Sequence, residues 1–168
     1  MKRLVKILFV VVIALNTLSG CDKVDETPSA LPDNAARASM ALIEIFETQK
    51  SFEDVIFELD FAITERNYRI TGRNTIGKGL RDRGYTDFPD VEVIHFCNLE
   101  YAREVLALDP GFVAQMPCRI TIHQAEQNTV ISLILLPEDH PNAQVNEFSR
   151  RMNGILRDIV LFVVETEQ

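Results

Sequence analysis

Near the C-terminus, Val145, Phe148, Met152, Ile155, Leu156, Ile159, Val160 and Val163 are spaced as one face of a long helix that begins near Asn142. An apolar stripe of that length must lie against a second apolar surface, which here means other helices or a sheet. The residues ahead of it point to a sheet. Residues 119–124 and 130–136 read as two strands joined by a short loop over 125–129, with Pro137 ending the second. The second strand is apolar at both parities and is expected to be buried on both faces.

Further upstream the same alternation of signals continues. Met40, Leu42, Ile43, Ile45 and Phe46 predict a strand within residues 40–49. Ser51 then caps a helix whose first turn carries Glu53 and Asp54, favourable at the positive end of the helix dipole. Phe52, Val55, Ile56, Leu59 and Ile63 fall on one face of that helix, which should stop near Asn67. Residues 68–75 predict a strand, and the glycine-punctuated stretch 77–89 a loop with about one helical turn. Residues 91–97 form a β-branched-rich strand. Asn98 is the expected N-cap of a short helix through Leu108, stopped by Asp109-Pro110. The order is β-α-β-β-α-β-β-α, and the simplest packing is an antiparallel α+β sheet with its helices on one face.

The first twenty residues have a different character. Lys2, Arg3 and Lys6 precede an unbroken apolar run from Ile7 to Leu15. Nine residues of helix reach roughly 14 Å at 1.5 Å per residue, about half of a bilayer's hydrocarbon core. The run therefore reads as a secretory signal and not as a permanent span. Leu18-Ser19-Gly20-Cys21 follows it and matches the bacterial lipobox at every position. Residues 1–20 are read as a lipoprotein signal peptide, Cys21 as the lipidated residue, 21–37 as a flexible tether with two prolines, and 38–168 as the domain. Lipoproteins of this kind carry a diacylglyceryl group and usually a further acyl chain, such as palmitate, and two or more chains are what stable anchoring needs. The expected location is the periplasmic face of a bacterial membrane. By resemblance to the sorting rule of enteric bacteria, Asp22 favours the inner membrane.

Removing residues 1–20 leaves 148 of 168 residues, enough for one domain with its own core. It also removes three basic residues and no acid, leaving 14 basic against 25 acidic, so the formal net charge moves from −8 to −11. Such a surface repels nucleic acid and anionic headgroups, which argues against both as partners of the folded domain.

Of three cysteines, Cys21 is assigned to lipid, leaving Cys97 and Cys118. In an oxidising compartment they are a disulfide candidate. Two other readings stand beside it: inert buried thiols, or a metal or redox site. His95 and Cys97 lie two apart on one strand and share a face; if Cys118 pairs nearby, three soft ligands converge as zinc or copper requires. His123, five residues after Cys118, points to the face opposite Cys118 and leaves that set without a fourth protein ligand. Arg119, read as an edge-strand residue, is a candidate anion contact.

The two cysteine motifs carry a resemblance. Phe96-Cys97-Asn98, then Asp109-Pro110, then Met116-Pro117-Cys118-Arg119 resemble the signature of the domain-of-unknown-function 302 family, with the Ser51-Phe52-Glu53-Asp54 helix upstream fitting as well. The resemblance spans about residues 40–164. Where the family often has proline after Cys-Asn, this chain has Leu99, which a first helical turn accepts equally. The resemblance implies a TATA-binding-protein-like α+β fold, a curved antiparallel sheet packed on one face by a long C-terminal helix. It implies no function.

No catalytic set emerges. Residues 72–78 (Gly-Arg-Asn-Thr-Ile-Gly-Lys) match the start of a P-loop, but Gly79 stands where Ser or Thr should hold magnesium. Ser51, Ser132 and Ser149 sit in no nucleophile elbow, and His140, before Pro141, is expected to be solvated. No cofactor is expected apart from a metal at the thiols. The leading expectation is a non-enzymatic domain that binds a small ligand or an envelope protein through the concave side of its sheet, with 77–89 as a lid. The alternative is a copper, zinc or redox-handling site at His95, Cys97 and Cys118. A third is a homodimer formed through the sheet edge.

Overall fold

A computed structural model describes residues 42–165. Met40 and the stretches expected to be signal peptide, lipidated Cys21 and tether lie outside the described residues. Five strands, β1 (Ile43–Thr48), β2 (Arg69–Thr75), β3 (Val91–Cys97), β4 (Cys118–Gln124) and β5 (Thr129–Ile134), form one open antiparallel sheet in the order β1-β5-β4-β3-β2. Four α-helices accompany it: α1 (Phe52–Glu65), α2 (Ile76–Arg81), α3 (Leu99–Leu108) and α4 (Ala143–Glu165). A 3-10 helix, Pro110–Gln115, follows α3. The α+β class and the long C-terminal helix agree with expectation. The short helix α2 is the helical turn expected within 77–89, starting one residue earlier, whereas the 3-10 turn, which continues past the proline that stops α3, was not expected.

One face of the sheet meets α1 and α4. Leu59 and Ile63 of α1, Ile94 and Phe96 of β3, Ile120 and Ile122 of β4, Ile131 and Leu133 of β5, and Leu156 and Ile159 of α4 are all buried in one core. Each such side chain contributes about 1.5–3 kcal/mol by leaving water. A smaller core of Val105, Phe112, Leu136, Val145, Phe148 and Met152 joins α3 and the 3-10 turn to the start of α4.

The expectation that β5 is buried on both faces is corrected. Thr129, Ile131 and Leu133 are buried, whereas Val130, Ser132 and Ile134 alternate with them and are only half-buried. Apolar residues at both parities reflected strand propensity and contact between side chains on an uncovered face, not a second covering layer.

Local signals explain the helix ends. Ser51 Oγ accepts from the Asp54 amide, capping α1. At the other end Asn67 adopts φ 58°, its amide bonds to Thr64 O, and the Tyr68 amide reaches back to Ile63 O, a Schellman turn closed by the buried Ile63–Tyr68 pair. Asn98 Oδ1 accepts from the Glu100 and Tyr101 amides, capping α3, while its Nδ2 donates to Asn67 O. The Cys-Asn motif thus ties the α3 cap to the α1 turn. Asn142 Oδ1 accepts from the Gln144 amide at the start of α4, where the cap was expected. Among the described residues no helix is long and apolar enough to cross a membrane.

Candidate functional site

The second face of the sheet carries no helix of the described chain. Strand register lays its side chains out in rows. One row runs Ile43, Ile134, Arg119, His95, Gly72; the next runs Ile45, Ser132, Thr121, Val93, Asn74; a third holds Glu47, Val130, His123 and Val91. Cys97 and Arg69 face each other at the end of β3 and β2. Ile45, a strand isoleucine directly opposite Ser132, is 65 % exposed.

Arginines on the surface divide into paired and unpaired, with Arg66, Arg83 and Arg150 making no ion pair among the described residues away from this face. Arg73, Arg81, Arg103, Arg151 and Arg157 each pair with a carboxylate. Arg69 and Arg119 are exposed and make no ion pair among the described residues, in a chain with 25 acids against 17 bases. Arg119 is also not an edge residue as expected, because β4 is the central strand. Beside it lies His95, whose Nε2 is 3.4 Å from Asn74 Nδ2.

The three-ligand convergence does not form. Phe96, directly opposite Cys118, is fully buried in the core, so Cys118 points toward the helices. His95 and Cys97 alternate with Phe96 and share the open face, as expected. Cys118 therefore lies on the other side of the sheet from both, and Cys97 and Cys118 are free thiols. The disulfide expectation fails for the same reason. His123 does oppose Cys118, yet that places it on the face of His95 and Cys97, four residues beyond Arg119 and about 13 Å along the strand. Among the described residues no group of three or more His, Cys, Asp or Glu side chains is placed to hold a metal. Burial raises the Cys97 thiol pKa, and pushes that of Cys118, the more deeply buried, up to about 11.

The stretch expected to act as a lid is braced. A side-chain carbon on Gly77 would stand 2.4 Å from Pro89 O and 2.7 Å from Val91 N, so only glycine lets α2 lie this close to the start of β3. Arg81 pairs with Asp90 at 2.5 Å and donates to Phe88 O at 2.8 Å. Lys78, the P-loop-like lysine, pairs with Asp82 at 2.6 Å. The segment that resembled a phosphate loop is the end of β2 followed by a six-residue helix, with no long helix behind it.

Other residues were misread or missed. His140 is not simply solvated: its Nε2 lies 3.1 Å from Asp109 Oδ2, and its Nδ1 accepts from the Asn142 amide. Asp109 also caps the 3-10 turn by accepting from the Gly111 amide, so the Asp-Pro motif links two helix starts. Arg73 bridges Asp60 of α1 and the buried Glu92 of β3. Asn153, 1 % exposed within α4, accepts from the Leu136 amide and donates to Leu136 O, holding the chain just after β5. Its position within the apolar stripe was the available signal. Ser132 lies on the open face, and Ser149 is buried with its Oγ lacking a partner.

Comparison with known proteins places this arrangement. A crystal structure of an uncharacterized conserved DUF302 protein from Bacillus stearothermophilus superposes with a TM-score of 0.66 at 13% sequence identity, over 73% of this chain and 98% of that one. That likeness establishes the fold. No curated protein matches the chain. The family model for the domain of unknown function DUF302 matches residues 44–159, from β1 to within α4, and on that match the chain belongs to the DUF302 family.

Proposed function

We propose that this chain is a lipid-anchored, non-enzymatic binding domain on the periplasmic face of a bacterial membrane, and that its open sheet face engages an envelope protein presenting carboxylates beside an apolar patch. The observation that carries this reading is the composition of the uncovered face: exposed Ile43 and Ile45 beside half-buried Ile134 and Val93, with Arg69 and Arg119 left without carboxylate partners. An apolar patch toward the β1 edge, with unpaired arginines on the central strand β4 and the far edge strand β2, is the kind of mixed surface that protein interfaces use. A flat partner suits it better than a small ligand. The cavity that reaches Arg119 and Ile134 has a volume of only about 20 Å³, room for little beyond one water. The anchoring half rests on the Leu18-Ser19-Gly20-Cys21 motif behind its apolar run.

Both halves are testable in cells. Labelled fatty acid should enter the wild-type chain and not Cys21→Ser, which should leave the membrane fraction; equal labelling of the two removes the anchor. A photo-crosslinking residue at Thr121, in the middle of the open face, should give a discrete adduct that is lost in the Arg69→Glu/Arg119→Glu variant. The same probe at Arg103 on α3 should give none. Adducts of equal yield from both positions would defeat the surface assignment, and an adduct at twice the chain mass would make the partner a second copy.

A further inference from the structure

Cys118 and two methionines line a single small cavity on the helix side of the sheet. Its volume is about 30 Å³, and its walls include Tyr68, Phe112, Met116, Cys118, Phe148 and Met152. Cys118 opens β4, Met116 sits two residues earlier, and Met152 comes from α4, so the sulfurs arrive from two separate elements. Sulfur side chains in cores usually act as adaptable gap fillers. In that role they close gaps; here an opening persists, and all three side chains line it. Tyr68, 5 % exposed, donates its hydroxyl proton to Met152 Sδ at 3.6 Å, which holds the thioether in place and leaves its second lone pair free.

We propose that Met116, Cys118 and Met152 form a three-sulfur site for a soft monovalent cation, copper(I). Thiolate and thioether ligands select copper(I) over harder ions. Charge selects in the same direction. One thiolate with one monovalent cation makes a neutral unit, which this apolar cavity accepts, whereas a divalent zinc would leave a buried positive charge and one ligand too few. As the copper–sulfur bond forms, the thiol proton leaves to solvent; no electron is transferred and no oxidant is needed. Exposed Gln115 and half-buried Met116 lie at the rim, so the first thioether is reachable from outside. The site is independent of the open face and of lipidation.

The test uses the full chain in detergent, without oxygen, challenged with copper(I) held by bicinchoninate, whose colour reports the metal it keeps. The wild type should withdraw one copper per chain. Cys118→Ser should abolish this, and Cys97→Ser should leave it unchanged. Met116→Leu and Met152→Leu, which nearly conserve volume, should each weaken affinity at least tenfold while far-ultraviolet circular dichroism stays constant. Copper K-edge absorption should show sulfur alone around the metal. No withdrawal by the wild type would overturn the proposal. So would leucine variants that bind as tightly as wild type, or loss in Cys97→Ser with retention in Cys118→Ser, since either outcome puts copper on bare thiols.

Discussion

The two faces of the sheet are built from the same strands and nearly the same residue types, yet they do opposite work. On β3, Glu92, Ile94 and Phe96 are buried against the helices, while Val91, Val93, His95 and Cys97, one residue out of step, remain half-exposed. On β5 the isoleucines split, Ile131 buried and Ile134 open. Residue type therefore does not decide which side becomes the core. The helices decide it: the α4 stripe can cover one face only, and whatever lies behind that face is left to solvent or to a partner. The covered face fixes the fold, and the open face is free to carry recognition.

The sharpest way to break this comparison is to truncate a side chain to alanine on each side of one strand. Phe96→Ala removes a fully buried ring packed edge-on to Tyr68 at 5.4 Å and should cost about 3–5 kcal/mol, because it leaves a cavity as well as losing apolar burial. Val93→Ala, three residues away on the open face, should cost under about 1 kcal/mol, as solvent already reaches the site. Urea unfolding followed by circular dichroism compares them. Equal losses would mean that the open face is covered in solution.

A middle-sized effect tests how the two layers are locked together. Asn153 is the buried polar group that pins the chain after β5 to α4, accepting from the Leu136 amide at 2.8 Å and donating to Leu136 O at 3.0 Å and to Glu138 Oε1 at 2.8 Å. Asn153→Ala strands the amide and carbonyl of Leu136 away from water and should cost about 2 kcal/mol, more than a surface substitution. Hydrogen exchange should locate the loss, with the Leu136 amide losing protection while the Ile120 amide in β4 keeps it. If both amides open together, Asn153 supports the whole fold and not this junction alone.

Much of the covered side could be read from the chain alone. The spacing of Val145 to Val163, the Ser51 and Asn98 caps and the Asp109-Pro110 stop act within a turn or two, and local physics suffices for them. The helix α2 was harder, because a six-residue helix with two glycines holds its shape through the Arg81–Asp90 pair and the close approach of Gly77 to Pro89, contacts invisible along the chain. The site was least legible. His95 and Cys97 shared a face as strand alternation requires, but placing Cys118 depended on the register that puts it opposite Phe96, and register is a property of two strands. A shift of one residue in β4 would have brought the thiols together. The arginines make the same point, since Arg119 becomes notable only once β4 is central and no carboxylate lies within reach.

The smallest effect needs no substitution of the sheet, because the thiols already report on both faces. At pH 8 an alkylating reagent should modify Cys97 well before Cys118, since the latter, half-buried against the helices, has its pKa pushed up to about 11. The sign of the stability effect follows from the same shift. Unfolded Cys118 ionises near pH 9, whereas the folded thiol holds its proton until about pH 11, so stability is intact below pH 9 and declines as pH rises through that interval. By pH 9.5 the loss should be about 1 kcal/mol, before tyrosines begin to ionise in the unfolded chain. Buried Tyr68, whose pKa burial raises further, should add its own decline at higher pH. Cys118→Ala should flatten the first part of the curve relative to wild type, and Cys97→Ala, on the open face, should alter it less. A curve flattened equally by either substitution would mean that the two sides of the sheet do not differ in solvent access as their burial indicates, and the distinction between a covered and an open face would have to be redrawn around β3 and β4.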